Sequence, residues 1–528
     1  MSKTVISAQH KAIKELKRAI ETFVNGHNKT RVIPLAIPTG WGKTRIAIQG
    51  VLKAFKGLYP TPVSVVIWPQ KHSHISEEVW LRCTDWCRKR NRSKCSFESC
   101  KHEMPQISYL HSSKKGPKMK RHGIGAGTHN KGFKGTFYSV NNKFTGIKNE
   151  LDRTNGPILF IIDEWHSKRF LEKYNNSGLD AEEFWRKQLI GKNSTRKLFV
   201  LLVSATPIGA TSHMDLINAD ESEGKFKKDI TNALELFSKL TSVGNQKRKY
   251  NLYGIYPKVI NSEERKLKNE QDQFQYRYSD TKDEWIKNYI GLSKKAYGNR
   301  KEAPYPSSLV YRLESLLHSG ATHEIVKSHF KSLKTYFEPG FSKQKKTLKL
   351  LTIGKLLKKY SNQKFVVFCH HIAVAHSLNK YLMKINIPSY YLEGDVKKRD
   401  EEFNSFNDEK DKIRVLIVTD EHSQGVSLHK SKAWLIHFEL SWNPIRIIQR
   451  YGRVWRIDKK SRKLTTPLAF YIPHAVSSEE EMISRLKRRW NVLKEISNSE
   501  EANFVNLAPI SFQVALGKRC SPPVSEET

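Results

Sequence analysis

Short, nearly unbroken apolar runs recur in two blocks of the chain, each bounded by Pro, Gly or charged residues. In the first block, residues 1–208, they are "VIPLAIP", "VSVVIWP", "PILFIID" and "LFVLLVSA". In the second, residues 346–500, they are "KFVVFCHH", "IRVLIVTD", "AWLIHFEL" and "LAFYIPH". Runs of this kind predict strands of parallel sheets buried on both faces. The apolar positions of "SAQHKAIKELKRAIETFV" recur at helical spacing ahead of the first run. A helix near residue 480 opens with Ser477 and Glu480 at capping-box spacing. Residues 209–345 are charged and helix-prone, and residues 501–528 read as a tail whose end is loosely ordered. The pattern therefore predicts an α/β chain with two parallel-sheet lobes joined by a mainly helical segment.

Length agrees, since 528 residues exceed what one core supports. A hydrophobic fraction of 38% is enough for folded cores, so the polarity does not signal disorder. There is no run of 18 apolar residues, and "MSKTVISAQHKAIKELK" lacks the charged-then-apolar pattern expected of a signal segment. The expectation is a cytoplasmic protein without membrane contact.

Charge narrows the partner. Lys and Arg number 92 against 52 Asp and Glu, a net +40 with a pI of about 9.8. Such an excess repels itself unless a polyanion offsets it, and nucleic acid is the usual one; a merely solubilising surface is the alternative. Residues 82–134 carry 14 basic and 3 acidic side chains. The same stretch holds Cys83, Cys87, Cys95 and Cys100, so 82–135 is expected to be a basic, Cys-rich insert in the first lobe. Four thiolates at that density can close a structural zinc site. Buried free thiols and an iron–sulfur cluster are the alternatives.

The chemistry concentrates where apolar runs end. In "LAIPTGWGKTRIAIQG" a predicted strand turns into a helix through Thr39, Gly40, Trp41, Gly42, Lys43 and Thr44. The glycines let backbone N–H groups face phosphate oxygens, and the helix adds the positive end of its dipole. Lys43 brings a point charge to the β- and γ-phosphates, and the Thr44 hydroxyl is a Mg²⁺ ligand. "ILFIIDEWHS" ends in Asp163, Glu164 and His166. Asp163 would hold Mg²⁺, and Glu164 would orient and deprotonate an attacking water. "LFVLLVSATPIG" ends in Ser204, Ala205 and Thr206.

Taken in order, these three motifs resemble the first recA-like lobe of a superfamily 2 helicase or translocase of DExH type. The resemblance makes Gln9 the adenine-reading glutamine and both lobes recA-like. It likens Thr136–Val140 to a backbone-contacting motif and Gln424–Leu428, with Gly425, to the motif coupling nucleotide to nucleic acid. "QRYGRVWR", from Gln449, is similar to the last motif of the family, which makes Arg453 and Arg456 the arginines reaching the γ-phosphate. "SSLVYRLESLLHSG", "YYLEGD" and "ELSWNP" resemble Swi/Snf-type bacterial remodelling ATPases. Trp165 and Asp458 depart from the family pattern.

The resemblance implies ATP and Mg²⁺ as cofactors, with Zn²⁺ added if the cysteines bind it, and an ATP-driven motor that translocates on DNA. ATP would be hydrolysed between the two lobes, and DNA is favoured over RNA as partner. The alternatives are a strand-separating DNA or RNA helicase, and a nucleic-acid-sensing ATPase working with partner proteins in a defence or remodelling complex.

Overall fold

A computed structural model describes residues 2–25, 32–36, 43–58, 64–68, 106–111, 137–139, 158–163, 198–204, 307–322, 347–392, 412–420, 431–455, 467–472, 478–498 and 512–519, with isolated positions between them. The chain divides into two compact units. One comprises Met1–Asp215, Lys228–Val259 and Leu493–Pro509; the other comprises Leu216–Lys227, Ile260–Val492 and Ile510–Thr528.

The first unit holds α1 (Ser2–Val24), β1 (Val32–Ala36), α2 (Lys43–Leu58), β2 (Ser64–Trp68), β3 (Gln106–His111), β4 (Phe137–Ser139), β5 (Ile158–Asp163) and β6 (Leu198–Ser204). Its sheet runs β1-β6-β5-β2-β3-β4, and every pairing is parallel. Leu159, Ile161 and Ile162 of β5 and Phe199, Val200, Leu201 and Val203 of β6 are buried. Burial of successive positions, as at Ile161 with Ile162 and Phe199 to Leu201, is what the unbroken apolar runs predict. The apolar stripe Ala12, Leu16, Ala19 and Ile20 of α1 is buried, as are Ile46, Ala47, Val51 and Ala54 of α2, and the two helices pack together. Gly50 makes this approach possible, because a Cβ there would stand 2.5 Å from Leu16 Cδ2.

The second unit holds α3 (Ser307–His318), α4 (Leu348–Lys359), β7 (Phe365–Cys369), α5 (Ile372–Lys384), β8 (Ser389–Tyr391), β9 (Val415–Thr419), β10 (Trp434–His437), α6 (Pro444–Val454) and β11 (Ala469–Tyr471). α7 (Ser478–Asn498), which belongs to this unit as far as Val492, α8 (Phe512–Leu516) and β12 (Lys518–Arg519) follow. The sheet order is β12-β11-β10-β7-β9-β8, again parallel throughout. Every residue of β7 and β9 is buried.

Local signals close the helices. Gly320, at φ 73°, ends α3 in a Schellman arrangement: Ala321 N–H donates to Leu316 O and Gly320 N–H to Leu317 O. Thr347 caps α4 by accepting from Leu350 N–H at 3.3 Å, while its hydroxyl donates to His318 O at 2.6 Å.

Both lobes are α/β with parallel sheets, as the apolar pattern predicts. Four strands escape that pattern. β3 lies inside the stretch 82–135 expected to be an insert, so part of that stretch is sheet; "QISYLH" mixes polar and apolar residues and lacks the unbroken run. β4, β8 and β12 are two or three residues long. The helix α8 and the edge strand β12 lie within 501–528, so this segment contributes ordered elements to the second lobe. Among the described residues no helix is long and apolar enough to cross a membrane.

Gly50→Leu would overpack the α1–α2 contact and destabilise the first lobe by about 1–3 kcal/mol. A lowered thermal midpoint of the full chain checks it, and an unchanged midpoint would show that the contact yields freely.

Candidate active site

In the first lobe the candidate chemistry lies at the carboxyl edge of the sheet, where open α/β sheets bind ligands. Lys43 opens α2, Thr44 follows it, and Asp163 ends β5. Ala36, the last residue of β1, pairs with Ser204 of β6, and Asp163 pairs with Val203. Since only β6 separates β1 from β5, Asp163 lies two strand spacings from the end of β1, about 10 Å. α2 has no acidic residue in its first turn and begins with a cation, the reverse of what its dipole favours. Residues of these types, Lys43, Thr44 and Asp163, would suit a Mg²⁺-bound triphosphate. Gln9 lies on α1. Thr39, Gly40, Trp41, Gly42, Glu164, His166, Gly425, Arg456 and the four clustered cysteines Cys83, Cys87, Cys95 and Cys100 lie outside the described residues.

In the second lobe three adjacent central strands, β10, β7 and β9, end in polar groups. β9 runs into Asp420, β7 into His370 and His371, and β10 ends at His437 shortly before Glu439. Glu439 is fully buried. Its Oε2 accepts from the N–H groups of His370 at 2.7 Å and His371 at 3.0 Å. It thereby caps α5, whose own N-cap residue, His371, makes no side-chain cap bond.

The turn from β10 to α6 is pinned from several sides. Asn443 caps α6, its Oδ1 accepting from Ile445 N–H at 2.9 Å, and Pro444 takes the first helical position. Tyr311 of α3 bonds Leu440 through its hydroxyl and stands edge-on to Trp442. Arg489 of α7 donates to Trp442 O at 2.8 Å.

α6 carries Arg446, Arg450 and Arg453 along one stripe, spaced i, i+4 and i+7. Arg450 is buried at 1% exposure. Its Nε and Nη2 donate to the two oxygens of Asp420, each at 2.6 Å, and Nη1 donates to Glu439 O at 2.6 Å. The guanidinium lies 5.3 Å from the Phe368 ring centre. Burial alone would raise the Asp420 pKa, but Arg450 outweighs it and holds the carboxyl far below the usual carboxylate range. Burial likewise works against charged Arg450, and Asp420 more than restores it.

Arg453 differs. It is partly buried, and its side chain makes no hydrogen bond or ion pair with any described residue. Burial first, then the like charge of Arg446, pull its pKa down to about 10 against a weaker opposing pull from Asp420. A cation destabilised in this way is ready to receive an anion. Leu428 N–H donates to Arg453 O at 3.0 Å, which ties the end of "QGVSL" to the end of α6. Gln449 lies half-buried on the same helix.

The structure thus brings Arg453, Gln449 and the end of the Gly425 segment together in the second lobe, and sets Lys43, Thr44 and Asp163 along one sheet edge in the first. Sequence reasoning missed Arg450, Asp420, Glu439 and His437. A signal existed, since His437 and Glu439 interrupt an apolar run, and polar groups in a buried run demand partners.

Two family models match the chain. "Type III restriction enzyme, res subunit" matches residues 2–209, and "Helicase conserved C-terminal domain" matches residues 345–458. The chain is 29% identical over 108 residues to the ATP-dependent RNA helicase DHH1 of Encephalitozoon cuniculi, covering 20% of this chain and 22% of that protein. It is 32% identical over 114 residues to the uncharacterized ATP-dependent helicase YqhH of Bacillus subtilis, covering 21% and 20%. With the probable ATP-dependent RNA helicase ddx49 of Dictyostelium discoideum it shares 27% over 177 residues, covering 31% and 34%. The chain therefore spans no more than 34% of the length of these curated relatives. Among solved structures, the Pyrococcus furiosus Hef helicase domain aligns over 90% of this chain and 97% of its own, at 15% identity and TM-score 0.39. S. cerevisiae Dbp5 bound to RNA and ADP BeF3 aligns over 91% of each chain, at 14% identity and TM-score 0.41.

Asp420→Asn leaves Arg450 charged, buried and uncompensated, which costs about 3–5 kcal/mol; urea unfolding at neutral pH measures it, and an unchanged midpoint would show that the pair is not needed. His437 has a second, pH-dependent effect. Burial, then Arg450, depress its pKa from 6.5 to about 3, against a bond to Ala515 O that favours the charged form. Between those values the unfolded chain binds a proton that the folded chain refuses, so stability falls as pH drops from 6.5 toward 3. The urea midpoint of His437→Asn should fall less steeply than wild type over that range.

Proposed function

We propose that this chain, which carries the N-terminal and C-terminal domain types of a superfamily 2 helicase, is an ATP-dependent motor that translocates on DNA. The observation that carries the proposal is Arg453, a partly buried guanidinium without a carboxylate partner among the described residues, on a helix whose neighbouring arginine is fully tied down. Lys43 and Thr44 bind the triphosphate and its Mg²⁺, Asp163 holds the metal, and Glu164 orients and deprotonates the water. Arg453, with Arg456, stabilises charge on the transferring phosphoryl group, the step in which positioned cations matter most. When bound, Mg²⁺ neutralises charge on the β- and γ-phosphate oxygens.

DNA is favoured by the resemblance of "SWNP" to Swi/Snf-type ATPases; in this chain Asn443 and Pro444 of that stretch start the arginine helix. A second reading, an RNA helicase, draws support from relatives named as RNA helicases. The net charge of +40 supports a nucleic-acid partner and does not separate the two, since both present phosphates.

ATP turnover of the full chain with single-stranded DNA, duplex DNA and RNA side by side tests the proposal. Duplex DNA should stimulate most, and triplex displacement should exceed strand separation; stimulation by RNA alone would overturn the DNA assignment. Glu164→Gln should bind ATP without hydrolysing it. Arg453→Ala should lower turnover by about 10³-fold with nucleic-acid affinity kept, and near-normal turnover would remove Arg453 from the chemistry.

A further inference from the structure

The C-terminal segment docks on the second lobe at the place where the arginine helix is anchored. α8 packs against α6 and β11. β12 pairs in parallel with β11, Lys518 with Phe470 and Arg519 with Tyr471, and so adds the sixth strand at the sheet edge. Phe512, Ala515 and Leu516 are buried, and Phe512 lies 5.9 Å from the Trp490 ring. Between α8 and β12 the chain turns through Gly517 at φ +79°. A Cβ there would collide with the backbone carbonyl of Ala469, so only glycine fits.

One polar chain runs inward from this strap. Ala515 O lies 2.9 Å from His437 Nε2. A carbonyl only accepts, so Nε2 carries the proton and Nδ1 presents a lone pair. That lone pair faces Arg450 Nη1 at 3.5 Å, and Arg450 holds Asp420 and Glu439 O. His437 is fully buried, and its depressed pKa keeps it in the neutral form this chain requires. The groups around the imidazole are thus Ala515 O from α8, Arg450 from α6 and, through Arg450, Asp420 from the end of β9. The arginine read as meeting the γ-phosphate, Arg453, sits one turn beyond Arg450.

We propose that the strap formed by α8 and β12 is a positioning element for the arginine helix, acting through His437 as the positioning residue. Ala515 O fixes the imidazole, the imidazole and Asp420 fix Arg450, and Arg450 sets the rotation and depth of α6 and hence where Arg453 points. The inference rests on the reading of Arg453 as a phosphate-directed arginine. It adds that a segment far from the helicase motifs in sequence governs turnover without touching substrate.

The test compares kcat and KM for ATP, in the presence of stimulating nucleic acid, for wild type, G517V, H437N and H437F as full-length chains, with thermal unfolding alongside. G517V displaces the strap. H437N keeps an acceptor for Arg450 and loses the reach to Ala515 O, and H437F removes both bonds. The expected result is a kcat lowered between about 10-fold and 100-fold in G517V and H437N, with KM for ATP within about twofold. The double variant G517V/H437N should be no slower than the slower single variant. Amide exchange at residues 512–519 should rise in G517V and H437N alike.

Wild-type turnover in H437N would show that the imidazole merely satisfies Arg450. Wild-type turnover in G517V with rapid exchange at 512–519 would show that the strap is dispensable. A loss that follows the unfolded fraction, with kcat per folded molecule unchanged, would reduce the strap to a stability element. Each of these three results overturns the proposal. Absent turnover in the wild type counts instead against the functional reading, so the two failures remain distinct.

Discussion

Arg450 and Asp420 form a bidentate pair inside the second lobe, and the position of the arginine helix depends on it. A buried guanidinium is tolerated only when its charge and its donors are met. Here Asp420 takes two donors and Glu439 O a third, and the Phe368 ring lies against the plane. The requirement is strict in geometry. Asp420 is fixed by the end of β9, Glu439 by the bend that follows β10, and Arg450 by α6, so those three parts share one arrangement. An apolar trio of the same volume would hold the core as firmly without demanding one rotation of α6.

The same logic extends to Glu439. The carboxyl ends of parallel strands feed helix N-termini whose N–H groups lack helical partners. At β7 the chain enters α5 through two histidines, and the carboxylate satisfying their N–H groups comes from the neighbouring strand's exit. Charged residues in an apolar run are therefore structural here, and they gather at the sheet edge where nucleotide chemistry is expected. A cluster of this kind is easily mistaken for a catalytic one. What separates the roles is partnership. Arg450, Asp420 and Glu439 find their partners within the lobe, while Arg453 finds none among the described residues.

Much of the fold was legible in the chain. Eight apolar runs mark β1, β2, β5, β6, β7, β9, β10 and β11, because strands buried on both faces must be apolar throughout. β3 was hidden by its polar positions, and β12 by its length of two residues; an edge strand has one neighbour and less to bury. Lys43, Asp163 and Arg453 stood out because short motifs carry them. Arg450 sits in the same motif and was passed over, since nothing local distinguishes an arginine that turns inward from one that turns outward. Its partner, Asp420, lies 30 residues earlier, and only the β9–β7–β10 order brings them together.

The arginine stripe on α6 carries the argument further. Three guanidiniums within eight residues repel one another, and Arg446 already depresses Arg453. Arg450 takes Asp420, at 2.6 Å to both of its oxygens. Asp420 still attracts Arg453, but less strongly than burial and Arg446 oppose its charge. Arg453 is therefore a cation in a partly buried place that meets no anion among the described residues. A structural role would have been better served by an uncharged residue at position 453. A role in receiving a phosphoryl group needs this arrangement, because a guanidinium already matched to a carboxylate has no charge left to offer as the γ-phosphate transfers.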